Sequence, residues 1–381
     1  MLYKEGSGKM RDGPLKLTGE RVWRTYTGGG NIDRLYGKNN PEDTHFPEEW
    51  MFSVTRAFNA GREHLTEGIC CLEEDPSCSL KMLLEKEPEG ILGKEHTAQW
   101  GPDPGVLIKI IDSSERLTIQ VHPDKKMAEH LFSSPFGKTE CWHILEVDER
   151  KNPCIYLGFK KGITREKWKD CFERQDISQM LSLMNCIKVR PGETYLVQGG
   201  MPHAIGAGCM LIEIQEPTDL TIRVERITPS GFSIDDRMCH QGIGFERMFD
   251  CFSYVGYTKE QIKELYCIKP MKLKNGGWQM VGYEDTPCFR MESHTIVQEQ
   301  ILRTEKEFYC VYIEAGRGEL EFENMKYPIS RNAQFFIPAN CGSYKIKVEN
   351  DPIKLLKFYG PKVNAASGGE LYDKTCSQDW N

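Results

Sequence analysis

The chain has 381 residues, 39% hydrophobic and 28% charged, the balance of an ordinary globular protein with room for two or three domains. Its formal net charge of −7 argues against a broad surface for nucleic acid or anionic membrane. No apolar run reaches the ~18 residues that a membrane-spanning helix needs.

Residues 1–20 read as a flexible leader, polar and Gly/Lys-rich, without the apolar stretch of a signal peptide. Thr27 to Pro47 is rich in Gly, Asn, Asp and Pro and reads as loop. Leu80 to Lys94 mixes Leu with Glu and Lys, a pattern for a short surface helix. Val106–Ile111 and Leu117–Val121 are β-rich runs separated by Asp112-Ser113-Ser114 as a turn. Cys141–Val147 and Cys154–Phe159 predict further strands. Residues 163–186 switch period. Trp168, Cys171 and Phe172, then Ile177, Met180, Leu181 and Met184, fall at helical spacing, and Thr164 is placed to cap the start. Strands resume from Ile187, with Pro191-Gly192 as a turn, and continue at Met210–Gln215 and Leu220–Val224.

From Phe289 the pattern is again all-β, with strands expected at Phe308–Glu314, Gly318–Phe322, Ala333–Pro338 and Ile353–Tyr359. Short strands with frequent turns suggest a sandwich or small barrel. The organisation predicted is a leader (1–20), a β domain with a helical insert at about 163–186 (21–265), and a second β domain (266–381). That second unit contains a single histidine, His294, and is expected to lack an equivalent metal site. Fifteen cysteines, an odd number lying mostly in apolar runs such as Asn185-Cys186-Ile187, read as reduced core thiols of a cytoplasmic protein.

Two segments about 80 residues apart carry the chemistry. In Gln120-Val121-His122-Pro123 the Gln and His are two apart, so on a strand they share a face. Glu140, in Gly137-Lys138-Thr139-Glu140-Cys141-Trp142, and His203, in Pro202-His203-Ala204-Ile205-Gly206, complete a candidate mixed nitrogen–oxygen site. Two imidazoles with oxygen ligands suit zinc, and also manganese, iron or cobalt.

These motifs, with Glu213-Ile214-Gln215 and Asp219-Leu220-Thr221-Ile222-Arg223, resemble the type I mannose-6-phosphate isomerases in order and separation from about Val106 to Arg226. Weaker echoes lie at Glu20–Trp23 and Glu48–Trp50. The resemblance implies a mainly β, cupin (jelly-roll) barrel with inserted helices and a second cupin-like unit. It implies one Zn²⁺ per chain, with Mn²⁺ or Co²⁺ compatible, held by Gln120, His122, Glu140 and His203. It also implies interconversion of mannose 6-phosphate and fructose 6-phosphate, a small sugar phosphate being the partner, with neither nucleic acid nor membrane. Arg223, at the family spacing from Glu213, is a candidate to stabilise the oxyanion or gate the site, Glu213 to act as base or orient a ligand, and Lys138 to act as base or donor, the three unranked for the proton transfer; Thr118, Lys138 and Arg223 are candidates for substrate binding.

Three departures from the family bear on the substrate. Glu216-Pro217-Thr218 replaces a more polar stretch, Ile222 stands where an aromatic is common, and no lysine follows Arg223 closely, Arg226 being the nearest cation. A non-catalytic sugar-sensing metal cupin, an isomerase of another sugar or sugar phosphate, and an iron oxygenase of the 2-His-1-carboxylate kind stay open as alternatives, Gln120 and Arg223 weighing against the last. The bland reading of Arg223 pairs it with Asp219 or Glu225. His64, His130, His143 and His240 read as structural, His143, beside the site in sequence, being the exception best placed to support a ligand.

Overall fold

The structure is a computed structural model that describes residues 12–363. Four antiparallel sheets make up its β portion. A seven-stranded sheet runs, edge to edge, through Cys267–Ile268, Thr194–Val197, Glu140–Val147, Cys209–Gln215, Leu107–Ser113, Glu48–Met51 and Glu20–Val22. It faces a five-stranded sheet of Ile222–Arg223, Gln120–Val121, His203–Ile205, Cys154–Phe159 and Met184–Lys188. Ile111, Trp142, Ile144 and Val197 from the first meet Ile155, Leu157, Ile187 and Ile205 from the second in one buried cluster. Each strand buries alternate side chains against the opposite sheet, as period-2 geometry requires.

The second half repeats this architecture. An eight-stranded sheet includes Arg290–Ile296, Ile353–Tyr359, Tyr309–Ala315 and Gln334–Ile337, and a four-stranded sheet of Glu299–Arg303, Ser343–Val348, Arg317–Phe322 and Met325–Ser330 closes over it. Val311, Ile313, Phe335 and Leu355 pack there against Leu320, Tyr344 and Ile346.

The two large sheets stack back to back. Ile108, Ile110, Ile212 and Ile214 of the first bury against Phe336, Leu356 and Phe358 of the second. Strands Leu107–Ser113 and Cys209–Gln215 are therefore buried at every position, which accounts for their near-continuous apolar runs.

The mainly β class expected from the sequence holds, and most predicted strands appear within a residue or two of their places. The two helices expected at 163–186 are Arg165–Glu173, whose cap Thr164 accepts a hydrogen bond from the Lys167 N–H, and Ile177–Ser182. They cover the outer face of the five-stranded sheet around Phe159, Met184 and Ile222.

Several expectations need correction. The leader lies partly outside the described residues, but Leu15–Thr18 is a strand paired with Gln334–Ile337 and Cys71–Leu72, its leucines buried. The sequence near residue 15 thus belongs to the eight-stranded sheet, because an alternating Leu-Lys-Leu-Thr supplies one apolar face. Asp112-Ser113-Ser114 is not a turn; the strand continues through Ser113. Regular strand at Leu117–Val121 is limited to Gln120–Val121, since the Ile119 N–H bonds a side chain, Glu225, rather than a ladder partner. The loop predicted at 27–47 contains a short helix, Gly30–Leu35. The surface helix at 80–94 is two short helices, Leu80–Lys86 and Pro88–Leu92, with Leu80, Leu83, Leu84, Ile91 and Leu92 buried in the core between the barrels.

Candidate active site

Two transverse rows of residues, one on each sheet of the first barrel, build the site. On the five-stranded sheet Arg223 is opposite Gln120, and Gln120 is opposite His203. His122, two residues after Gln120, points the same way. On the seven-stranded sheet Trp50, Lys109, Glu213 and Trp142 are successive cross-strand neighbours. Glu140, two residues before Trp142, faces the same interior.

The two histidines, expected as ligands, are brought together with Glu140. His122 Nε2 is 3.2 Å from Glu140 Oε2, His203 Nε2 is 3.3 Å from Glu140 Oε1, and the two Nε2 atoms are 3.2 Å apart. Each ring is oriented from behind. His122 Nδ1 donates to Leu220 O at 2.7 Å and His203 Nδ1 to Met201 O at 2.8 Å. A carbonyl only accepts, so Nδ1 carries the proton and Nε2 presents a lone pair. Both carboxylate oxygens of Glu140 are buried and accept no hydrogen bond. Burial and the neighbouring Lys138 hold His122 down at about 3, and burial lowers His203. Burial opposes the charge on Glu140, but Lys138 and the histidines keep it well below the usual carboxylate range.

Neutral imidazole lone pairs and an ionised carboxylate converging on one point repel one another unless a cation lies among them. Ligands about 2.0–2.1 Å from a tetrahedral ion are roughly 3.3 Å apart, close to the separations here. The residues therefore fit a divalent metal. The Gln120 amide, its Nε2 3.3 Å from His203 Nε2, offers its oxygen by a 180° flip of the amide group. Iron, cobalt, manganese and zinc all accept this donor set.

Lys138 is buried against the same lone pairs, with Nζ 2.9 Å from His122 Nε2 and 3.4 Å from Glu140 Oε2. Burial lowers its ammonium below the usual lysine range. An ammonium and a divalent ion would compete for those lone pairs, a second influence favouring the neutral amine.

Thr118, Gln120, Lys138, Glu213 and Arg223 line one pocket beside this cluster. Arg223 donates to the carbonyls of Thr221 (3.3 Å) and Met238 (2.9 Å). The pairing considered for it does not form: Asp219 pairs with Arg24, and Glu225 with Arg116. Glu213 is tied on both sides, by Lys109 Nζ at 2.9 Å and the Trp142 indole N–H at 2.8 Å. Arg226 pairs with Asp236 and stacks over Phe245, away from the pocket. His143 also faces away, its Nδ1 2.9 Å from Thr194 Oγ1; it packs on the opposite side of its strand from Glu140 and does not support a ligand.

Sequence reasoning missed a buried charge network on the pocket wall. Arg24, Tyr26, Glu48, Lys109 and Asp219 all line it. Glu48 accepts from Tyr26 and Trp50 at 2.8 and 2.7 Å and pairs with Arg24 at 3.0 Å. Lys109 bridges Glu48 (3.6 Å) and Glu213 (2.9 Å). A signal was present: a lone lysine inside Val106–Ile111 cannot stay charged in a doubly buried strand without a carboxylate partner.

No family model matches the chain. It is 25% identical over 258 residues to a probable mannose-6-phosphate isomerase of Bacillus subtilis, a match covering 67% of this chain and 76% of the relative. The crystal structure of the mannose 6-phosphate isomerase from Bacillus subtilis superposes with a TM-score of 0.69, covering 91% of this chain and 99% of that one at 21% identity. The chain shares the sequence pattern and the fold of the mannose-6-phosphate isomerases. The family resemblance drawn from the motifs is thereby supported; the curated relative supports an isomerase enzyme, and the solved structure supports the fold. A further solved relative, at 15% identity and a TM-score of 0.68 over 92% of this chain and 100% of that one, is a mannose 6-phosphate isomerase bound with zinc and yttrium. No helix among the described residues is long and apolar enough to cross a membrane.

Proposed function

We propose that the chain interconverts mannose 6-phosphate and fructose 6-phosphate, with one zinc held by Gln120, His122, Glu140 and His203. The observation that carries this reading is the convergence of two Nε2 lone pairs and an unbonded carboxylate next to a pocket that also holds a buried lysine and arginine. A bound divalent ion would supply Lewis-acid stabilisation of negative charge on the sugar oxygens.

Aldose–ketose isomerisation removes the proton at C2 and returns it to C1, while a proton moves from the C2 oxygen to the C1 oxygen. Lys138 is the proton carrier in this reading. Burial favours its neutral amine, which accepts the C2 proton, and the ammonium so formed delivers it to C1. Glu213 is a positioning group instead, since Lys109 and Trp142 already occupy its oxygens. Arg223, fixed by two backbone carbonyls, presents a permanent cation to the oxygen on which charge develops. Thr118 offers a hydroxyl from the pocket wall to the phosphate.

A coupled assay of mannose 6-phosphate turnover, before and after chelation and with Zn²⁺ restored, tests the reading. Activity abolished by chelator and recovered with zinc is expected. Zinc-loaded protein inactive on every hexose 6-phosphate would overturn it.

A further inference from the structure

Helices Arg165–Glu173 and Ile177–Ser182 cover the outer face of the five-stranded sheet around Phe159, Met184 and Ile222. At its other end lies an open pocket lined by Cys154, Tyr156, Cys186, Arg116, Lys188 and Lys259. Cys154 is opposite Lys188 and Tyr156 is opposite Cys186, so the four side chains share one face and the two cysteines are diagonal neighbours. Their partners in sequence, Ile155 and Ile187, are buried on the other face, whereas both thiols are half-exposed. The two thiols are near enough that each shifts the other's titration. Among the described residues no carboxylate lines this pocket, and Arg116 and Lys188 pair with Glu225 and Glu149 outside it. These residues lie outside the metal site and take no part in the proposed isomerisation.

We propose that Cys154 and Cys186 form a redox site, in which Cys186 is the thiol that attacks a peroxide and Cys154 resolves the product as a reversible disulfide. The Cys186 sulfur attacks one peroxide oxygen, the O–O bond breaks, and hydroxide leaves to be protonated to water. The resulting sulfenic acid is attacked by the Cys154 sulfur; the S–S bond forms, the S–O bond breaks, and a second water departs. Two thiols are oxidised and one peroxide is reduced. Cys186 takes the first role because Lys259 lines the same pocket, and the neighbouring Cys154 thiol, then Lys259 and Lys160, hold its own thiol below the usual range. The thiols of Cys71 and Cys267 are pushed the other way, burial being the first cause in both. Reactivity of a thiol follows its thiolate fraction and its access, and Cys186 has both.

The full-length protein, treated with dilute hydrogen peroxide, tests this by intact mass and differential alkylation. A species lighter by two hydrogens is expected, with a peptide linking Cys154 to Cys186 and full reversal by dithiothreitol. Alkylation of Cys186 in the reduced protein should run about tenfold faster than that of Cys71 or Cys267. In Cys154→Ser the oxidation should stop at a sulfenic acid trapped by a 1,3-dione, and in Cys186→Ser the linked peptide should vanish. Equal alkylation rates, or peroxide linkage of other cysteines instead, would overturn the proposal.

Discussion

Lys109→Met tests the electrostatic account of the pocket wall most directly. In the parent, Lys109 sits 2.9 Å from Glu213 and 3.6 Å from Glu48, all three nearly solvent-free. After substitution Glu48 keeps Arg24, Tyr26 and Trp50, but Glu213 keeps only the indole N–H of Trp142. Stranding one member of a buried pair costs about 3–5 kcal/mol. Glu213 can limit that loss by taking a proton. Burial, then Glu140, already raise its carboxyl, with Lys109 opposing them; without the lysine it rises further. Its folded value then lies well above the ~4.3 of an unfolded glutamate. The folded state therefore holds a proton that the unfolded state releases, and stability falls as pH rises through the window between the two values. The loss is about 1.4 kcal/mol per pH unit, a ceiling of roughly 3.7 kcal/mol at pH 7 and about 1 kcal/mol at pH 5. Urea unfolding of metal-free parent and variant at pH 5 and pH 7 measures it. A stability gap that widens between these pH values is expected, by less than the ~2.7 kcal/mol ceiling because the parent's Glu213 carboxyl is itself raised, with Lys109→Met/Glu213→Gln recovering much of it at pH 7. An equal gap at both pH values, or a double variant no more stable than the single, would refute the reasoning.

Three further outcomes follow from the site. Glu140→Gln removes the only carboxylate among the proposed ligands; zinc at 1,000 times its Kd should stabilise the parent by about 4 kcal/mol, or ~5 °C for a chain of this length, and the variant far less, read by thermal unfolding with and without chelator. Lys138→Met should lower kcat by about 10²–10⁴, and Lys138→Arg should fail to restore it because a guanidinium does not release its proton; near-parental kcat in either variant, with zinc content confirmed by metal analysis, would exclude Lys138 as the proton carrier. Arg223→Lys keeps the charge but replaces the planar guanidinium whose Nη1 donates to both the Thr221 and Met238 carbonyls; a fall in kcat of about 10², larger than any rise in KM, is expected from steady-state kinetics.

What is legible in the sequence is local. Gln120 and His122 at period-2 spacing, Thr164 before a helical period and the alternating runs from Phe308 onward all read correctly as local geometry, because a strand or a capped helix is specified within a few residues. The leader misleads for the complementary reason. Leu15-Lys16-Leu17-Thr18 is a four-residue strand whose partners, Phe335 and Phe336, lie more than 300 positions away, and nothing local signals an edge that distant chain will fill. The Leu80–Lys94 segment reads as surface because its charges dominate. Its leucines, at helical spacing, in fact line the core between the two barrels.

The charge network shows why a site can be half readable. Spacing along a strand determines which residues share a face, so Lys138, Glu140 and Trp142 can be grouped without a structure. Register across a sheet is set by every strand at once, and it alone makes Lys109 the neighbour of both Trp50 and Glu213. The back-to-back packing of the two large sheets then hides the usual cue. In a strand with one wet face Lys109 would mark the polar side; here Ile108 and Ile110 bury against the second barrel while Lys109 and Ile111 bury inside the first. A charged residue in such a strand has no route to water, so its partner must be another strand's charge on the same interior row. The second barrel thus bears on the site without touching it. By drying the outer face of Leu107–Ser113 and Cys209–Gln215 it removes the alternative in which either strand turns over. The Lys109–Glu213 pair then stays locked beside the proposed metal ligands. Among the described residues lining the pocket, Lys138 is left as the one lysine without a fixed structural anion other than a proposed ligand, Glu140.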